Sequence, residues 1–244
     1  MHPIGLIKIN RPLATGDACI LQGDALGALL CWRPRIGEAF TVAGPANVLW
    51  RARLTSLEPN SASLLVFEEI GAKSEGPEII LLQALPEKER MELIIQKTTE
   101  LGVDAICPFK SRRSISLAER DSVQRKSHRW QEAARKAARQ CRRESIPVVH
   151  PCAAFGAALE LASGAALKLI LYEDRSARPL KAALRPAAGL SSIAVMSGPE
   201  GGFEAGEIAQ AEAAGFVAVS LGTRILRAET AAIIAVGIAG YEAG

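Results

Sequence analysis

The sequence predicts an α/β protein with a mostly parallel sheet, preceded by a small β-rich unit. Three observations predict it. After residue 77, short apolar runs alternate with segments of helical periodicity, the pattern of parallel strands covered on both faces. Before residue 70, short apolar runs are separated by Gly and Pro, as in a small barrel. Between them lies a polar, Gly-containing connector, Glu69–Pro77 (EIGAKSEGP). The expected domains are therefore a β-barrel over residues 1–72 and an α/β domain over residues 73–244.

In the first unit the expected strands are Ala18–Leu21, Ala28–Trp32, Ala39–Val42, Val48–Leu54 and Ser63–Phe67. Pro34, Gly37, Gly44, Pro45 and Pro59 supply the turns. In the second, Ile79–Leu85 reads as a strand and Glu87–Gly102 as a helix. That helix has Met91, Ile94, Ile95, Thr98 and Leu101 at helical spacing and stops at Gly102. Ala105–Pro108 is a short strand. Asp121–Arg143 is a long helix with an apolar seam of Trp130, Ala134, Ala137 and Cys141. Leu167–Tyr172 and Ser192–Met196 are buried strands. Glu204–Gly215 is a helix, Val217–Leu221 a strand and Glu229–Tyr241 the last helix. Ala231–Ala239 is apolar on all sides, as in a helix buried on both faces.

Composition excludes several classes. The chain has 244 residues, 49% hydrophobic and 23% charged, which is not the balance of a disordered chain. No stretch approaches the roughly 20 apolar residues of a membrane span, and residues 1–12 lack the pattern of a secretory signal. The five cysteines (Cys19, Cys31, Cys107, Cys141, Cys152) form no C-x-x-C pair, and their odd number does not suit a disulfide framework. They read as reduced thiols, so a cytoplasmic protein is expected. His2, His128 and His150 lack metal-ligand spacing, so no metal and no membrane are expected.

The formal net charge is only +3, but it is unevenly spread. Lys110–Arg143 holds twelve basic and three acidic residues, a local balance of +9 over 34 residues. Arg125, Arg129, Lys136, Arg139 and Arg143 fall near one helical face, and Arg112 and Arg113 precede them. A solvated helix face is the ordinary reading of a charge run. Here Glu132 alone interrupts the run from Ser122 to Arg143, so i,i+4 pairs cannot offset the repulsion. An external polyanion is the better expectation, and Arg suits bidentate phosphate contact.

Two segments carry the chemistry. Ser197-Gly198-Pro199-Glu200-Gly201-Gly202 follows one strand, and Leu221-Gly222-Thr223-Arg224-Ile225-Leu226-Arg227-Ala228-Glu229-Thr230-Ala231 follows another. The two strands are expected to be adjacent, and ligands sit beyond the C-terminal ends of strands in open α/β sheets. Neither segment is a P-loop or a dinucleotide fingerprint, so ATP and NAD are poor guesses. Taken singly, a tight turn and helix-start ion pairing would account for the two segments.

G-P-E-G-G followed by L-G-x-R-I-L-R-x-E-T-A resembles the RsmE family of ribosomal RNA methyltransferases, of the SPOUT class. Glu92–Gly102 with Val103, Pro108, Trp130, Gln140-Cys141, Arg143 and Pro147 add to the resemblance. Two stretches depart from the family pattern. Gly27–Arg33 keeps only Arg33 of the basic residues there, and Arg139–Arg143 carries Arg where the family has an acidic residue and a Gly.

The resemblance implies a C-terminal trefoil knot, a PUA-like RNA-binding barrel and a homodimer with its active site completed across the interface. It implies S-adenosylmethionine as methyl donor and N3 of a uridine in the 16S rRNA of the small ribosomal subunit as acceptor. The donor would lie against Leu171, Ser197, Gly198, Glu200, Gly201, Gly202, Leu221, Gly222, Ile225, Leu226, Arg227 and Thr230. Arg224, Arg227 and Glu229 would carry catalysis, with Glu229 or Glu200 acting as base or orienting one of those arginines. Arg33, Arg112, Arg113, Arg125, Arg129, Lys136, Arg139 and Arg143 would contact RNA. The alternatives are a related knotted enzyme acting on ribose or a tRNA base, and a catalytically silent RNA-binding protein.

Overall fold

A computed structural model describes residues 4–72, 76–87, 90–115, 129–174, 177–185 and 189–243. The chain forms two compact units. Residues 1–74 and 135–147 make the first, and residues 75–134 and 148–244 the second. The return of 135–147 to the N-terminal unit is not visible in the sequence.

The first unit is built on four antiparallel strands, β1 (Ala18–Leu21), β2 (Ala39–Ala43), β3 (Val48–Glu58) and β4 (Ser61–Ala72), in the order β1-β4-β3-β2. Alternation sets the inner face in β1 and in much of β3 and β4, while β2 is buried throughout from Phe40 to Ala43. Cys19 and Leu21 of β1, Phe40 and Val42 of β2, Trp50, Ala52 and Leu54 of β3, and Ala62, Leu64 and Val66 of β4 are buried. Pro59 and Asn60 form the turn between β3 and β4.

The expected strand Ala28–Trp32 is instead the second half of a helix, α1 (Gly23–Cys31). A short apolar run fits either period. Here Leu26 and Leu29, three apart, both reach the core, and Asp24 stands in the first turn. Trp32 ends the helix and its Nε1 donates to the Gly5 carbonyl at 2.7 Å.

Among the described residues the second unit contains eight parallel strands: β5 (Glu78–Ala84), β6 (Ala105–Lys110), β7 (Val148–Val149), β8 (Ala153–Ala154), β9 (Leu167–Leu171), β10 (Arg178–Pro179), β11 (Ser192–Ser197) and β12 (Val217–Ser220). Their order is β10-β12-β9-β11-β5-β6-β7, with β8 paired to β6. β5, β6 and β11 are apolar almost throughout because both their faces are covered.

On one face lie α4 (Phe155–Leu161) and α6 (Ala205–Ala213), packed with Ile80, Leu82, Phe109, Ile170 and Met196. On the other lie α2 (Met91–Glu100) and α7 (Ala228–Ala243). Two further helices complete the order, α3 (Trp130–Gln140) and α5 (Leu180–Leu184). The short elements β7, β8, β10, α4 and α5 carry too few residues for a sequence period to be read.

The predicted helix Asp121–Arg143 is described only from residue 129, so Arg125 lies outside the described residues. Its seam residues Trp130, Ala134 and Ala137 are buried, joined by Ala138, while Cys141 is half-buried. In α7 only one face is buried, by Ala228, Ala232, Ala235, Val236, Ala239 and Ala243. Ile234 (40% exposed) and Tyr241 (86%) lie on its outer side, so burial on both faces does not hold within one chain. Among the described residues no helix is long and apolar enough to cross a membrane, and no group of three His, Cys, Asp or Glu side chains is arranged to hold a metal.

Candidate active site

The site lies at the C-terminal ends of β9, β11 and β12. The expectation that the two motif strands are adjacent is corrected: β9 pairs with both and stands between them. Three loops therefore leave neighbouring strand ends on the same edge, where an open parallel sheet offers a crevice. They enclose a cleft of about 530 Å³.

Eleven of the twelve donor residues expected from the sequence line this cleft: Leu171, Ser197, Gly198, Glu200, Gly201, Gly202, Leu221, Gly222, Ile225, Leu226 and Arg227. Arg224 lines it as well. Thr230 does not. α7 begins at Ala228, and Ala228 and Ala231, three apart, face the cleft, which turns Thr230 onto another side. Thr230 is half-buried. Glu229 is also absent from the lining and pairs with Arg90, as described below.

Local backbone demands explain the glycines. Gly222 has φ +117°, a conformation that side chains rarely adopt, and it is held by Ser220 Oγ, 3.1 Å from both its N–H and its carbonyl. At Gly198 a Cβ would sit 3.1 Å from the Phe203 ring. Phe203 is buried and stacks with Phe109 at a centroid distance of 6.4 Å, so it has little room to retreat. The turn after β11 thus folds tightly over an aromatic core.

The 197–203 loop is fixed from the β6 side by the segment following that strand. Arg113 donates to the Gly201 carbonyl at 3.0 Å. The backbone N–H of Arg112 donates to the buried Glu207 at 2.9 Å, and Glu207 also accepts from the Glu204 N–H in the capping box of α6. Arg113 is therefore part of the cleft wall as well as of the basic segment.

The carboxylates of the motifs meet a residue that the sequence reading missed. Arg90, at the start of α2, has its Nη1 2.8 Å from Glu229 Oε2 and 3.6 Å from Glu200 Oε1. Glu200 Oε2 accepts the Glu87 N–H at 2.9 Å. Neither carboxylate is bonded to Arg224 or Arg227, so the expectation that Glu229 or Glu200 orients one of them is corrected. Both arginines are exposed at the cleft, and among the described residues their guanidinium groups make no hydrogen bond or ion pair. The signal that could have found Arg90 is its position. A cation at a helix N-terminus opposes the dipole and is favoured only where carboxylates meet it.

The expected RNA contacts fall in both units. In the second unit Arg112, Arg113 and Arg129 are exposed. In the first, Arg33 and Lys136 are exposed, Arg143 is half-buried, and Arg139 is committed inside the unit. Arg139 Nη1 pairs with Glu38 at 3.0 Å, and its Nη2 donates to the carbonyls of Trp32 and Arg33. Arg135 also donates to the Trp32 carbonyl, at 2.6 Å. The repulsion along α3 is thus relieved by the C-terminal carbonyls of α1 and by Glu38.

The cleft suits an amphipathic ligand. Ile225 on its rim is 82% exposed and would gain cover from an apolar surface, while Arg224, Arg227 and open backbone groups offer polar contacts.

Comparison with known proteins agrees. The family model described as an RNA methyltransferase domain matches residues 74–240. A ribosomal RNA small subunit methyltransferase E of Mycobacterium bovis is 33% identical over 232 residues, covering 93% of this chain and 87% of that protein. The protein of the same name in Bacillus subtilis is 30% identical over 197 residues, covering 79% and 77%. The crystal structure of a ribosomal RNA small subunit methyltransferase E from Neisseria gonorrhoeae bound to S-adenosyl methionine is similar with a TM-score of 0.67. It is 33% identical and the match covers 98% of this chain and 96% of that one. With its motifs on one cleft and its RNA methyltransferase domain spanning 74–240, this chain belongs to the ribosomal RNA small subunit methyltransferase E family.

Proposed function

We propose that this protein transfers a methyl group from S-adenosylmethionine to N3 of a uridine in the 16S rRNA of the small ribosomal subunit. The observation that carries the reading is the convergence of both motifs on one cleft at the ends of β11 and β12, with the β9 loop between them. When bound there, the donor supplies an electrophilic methyl on a sulfonium.

Residues of this chain do the rest. Backbone groups of Gly198, Gly201, Leu221, Ile225 and Leu226 hold the donor, with Leu171 and Ile225 against its apolar parts. Uracil N3 carries a proton at neutral pH and is a poor nucleophile. Arg224 and Arg227 are exposed and, among the described residues, uncommitted; they stabilise negative charge on the uracil oxygens as N3 gives its proton to water, and N3 then bonds the methyl carbon as the bond from that carbon to sulfur breaks, which leaves a neutral thioether. N3 lies on the pairing edge, so the target base is unpaired or flipped out when it enters. Arg33, Arg112, Arg113, Arg129, Lys136 and Arg143, with Arg125, hold the surrounding RNA.

The reading extends to the larger architecture. We take residues 1–72 as a PUA-like barrel for RNA and 73–244 as a SPOUT domain closed by a trefoil knot. The molecule is a homodimer, supported by the outward Ile234 and Tyr241 of α7, and it works in the cytoplasm. Mass spectrometry of rRNA nucleosides from wild-type and deletion cells tests the activity. N3-methyluridine disappears from the deletion strain and returns with the gene; an unchanged level overturns the proposal.

A further inference from the structure

We propose that Arg90 is a positioning residue that clasps the two donor loops to each other and to α2. The inference rests on the reading of the cleft given above. Glu200 belongs to the turn after β11, and Glu229 to the first turn of α7, at the end of the loop after β12. No backbone pairing joins β11 to β12, because β9 separates them. One guanidinium reaches both carboxylates, at 2.8 Å and 3.6 Å.

The three side chains are largely withdrawn from solvent, at 23%, 21% and 13% exposure for Arg90, Glu200 and Glu229. Screening by water is therefore weaker than for a surface pair. The Glu87 N–H holds the other oxygen of Glu200, so that carboxylate is fixed from two sides.

The base of the clasp is also fixed. α7 packs closely against the end of α2 and against β5: a Cβ at Gly237 would meet Leu101, the residue that ends α2, at 3.4 Å, and one at Gly240 would meet Ile79 of β5 at 3.4 Å and the Leu101 carbonyl at 3.6 Å. These contacts lie at the far end of α2, and the Arg90–Glu229 pair joins the starts of the same two helices. Both contacts of the clasp are made by one guanidinium nitrogen, Nη1, whose charge is shared between the two carboxylates, so a lysine ammonium placed there keeps part of the attraction. The clasp sets the width of the cleft between Gly198–Gly202 on one wall and Leu221–Arg227 on the other.

The test compares R90M, R90K, E200Q and E229Q. Hydrogen exchange by mass spectrometry is read first, because it needs neither donor nor RNA. R90M is expected to speed exchange in both 197–203 and 221–228 by about tenfold, and R90K by less. Should R90M fail to fold, E200Q and E229Q each loosen both loops. Unchanged exchange in the loops, or a change confined to the neighbourhood of residue 90, overturns the clasp.

Kinetics give the second readout. R90M raises the KM for S-adenosylmethionine and lowers kcat/KM by roughly 10²-fold, the scale expected of a small misplacement of reacting groups. R90K recovers part of the loss, and adding E229Q to R90M costs little more because the pair acts as a unit. Full additivity of the two losses also overturns the clasp. A wild-type enzyme that transfers no methyl group would refute the proposed function, while the exchange data would still decide the role of Arg90.

Discussion

Arg227 is exposed at the cleft and its guanidinium has no partner among the described residues, so its removal should touch chemistry and not folding. Arg227→Ala is expected to lower methyl transfer by about 10²-fold or more, the scale of losing one charge-stabilising donor, with an unchanged melting temperature. Methyl incorporation into rRNA and a thermal melt on the same preparation check it; near-wild-type activity would remove Arg227 from the chemistry. A second prediction concerns the thiols. Burial pushes Cys107 from an ordinary 9.0 up to about 12, because a thiolate is poorly solvated there. Between these values the unfolded chain loses its Cys107 proton and the native chain keeps it. Stability from this group is therefore present below pH 9 and falls as pH rises towards 12. At pH 8 iodoacetamide should label the exposed Cys31 and spare Cys107 while the protein is folded. Rapid labelling of Cys107 would contradict its burial.

At the scale of elements, the basic face of α3 divides into two roles. Arg139 closes the C-terminus of α1 by bonding the Trp32 and Arg33 carbonyls, and also pairs with Glu38. Arg139→Ala should destabilise the first unit by about 1–3 kcal/mol, the range for hydrogen bonds to a charged group, as read from denaturant unfolding. Arg129 and Lys136 are exposed and should behave oppositely. Replacing both by Ala should leave stability within about 0.5 kcal/mol and lower the salt slope of RNA binding by roughly 2. An unchanged slope would make that face a solvated surface only. The same contrast shows where helical periodicity stops being informative. It places Arg129, Lys136 and Arg139 near one face, but the carbonyls waiting for Arg139 come from residues about a hundred positions earlier in the chain.

For the whole molecule, the outer side of α7 carries Ile234 and Tyr241 at 40% and 86% exposure. An apolar helix with one face turned outward is stabilised by covering that face, and a second copy is the proposed cover. Analytical ultracentrifugation should give twice 25.9 kDa. Ile234→Glu should shift the equilibrium to the monomer and reduce turnover without disturbing the buried Ala232–Val236–Ala239 face. A wild-type monomer at micromolar concentration would refute the dimer.

The family resemblance supplied the residues expected to hold the donor, eleven of which line the cleft; the sequence by itself determined the alternation of strands and helices after residue 77 and the two motif loops that follow strands. These are local properties: an apolar period, a Gly that alone tolerates φ +117°, a loop that must follow a strand. It did not separate helix from strand at Gly23–Cys31, where a short apolar run satisfies both periods. Only the tertiary structure decided that β9 stands between the two motif strands, that 135–147 returns to the first unit, and that Glu200 and Glu229 share Arg90. Strand order and ion pairing join residues far apart in the chain. Their free energy depends on distance and burial in three dimensions, and one sequence carries no direct record of either.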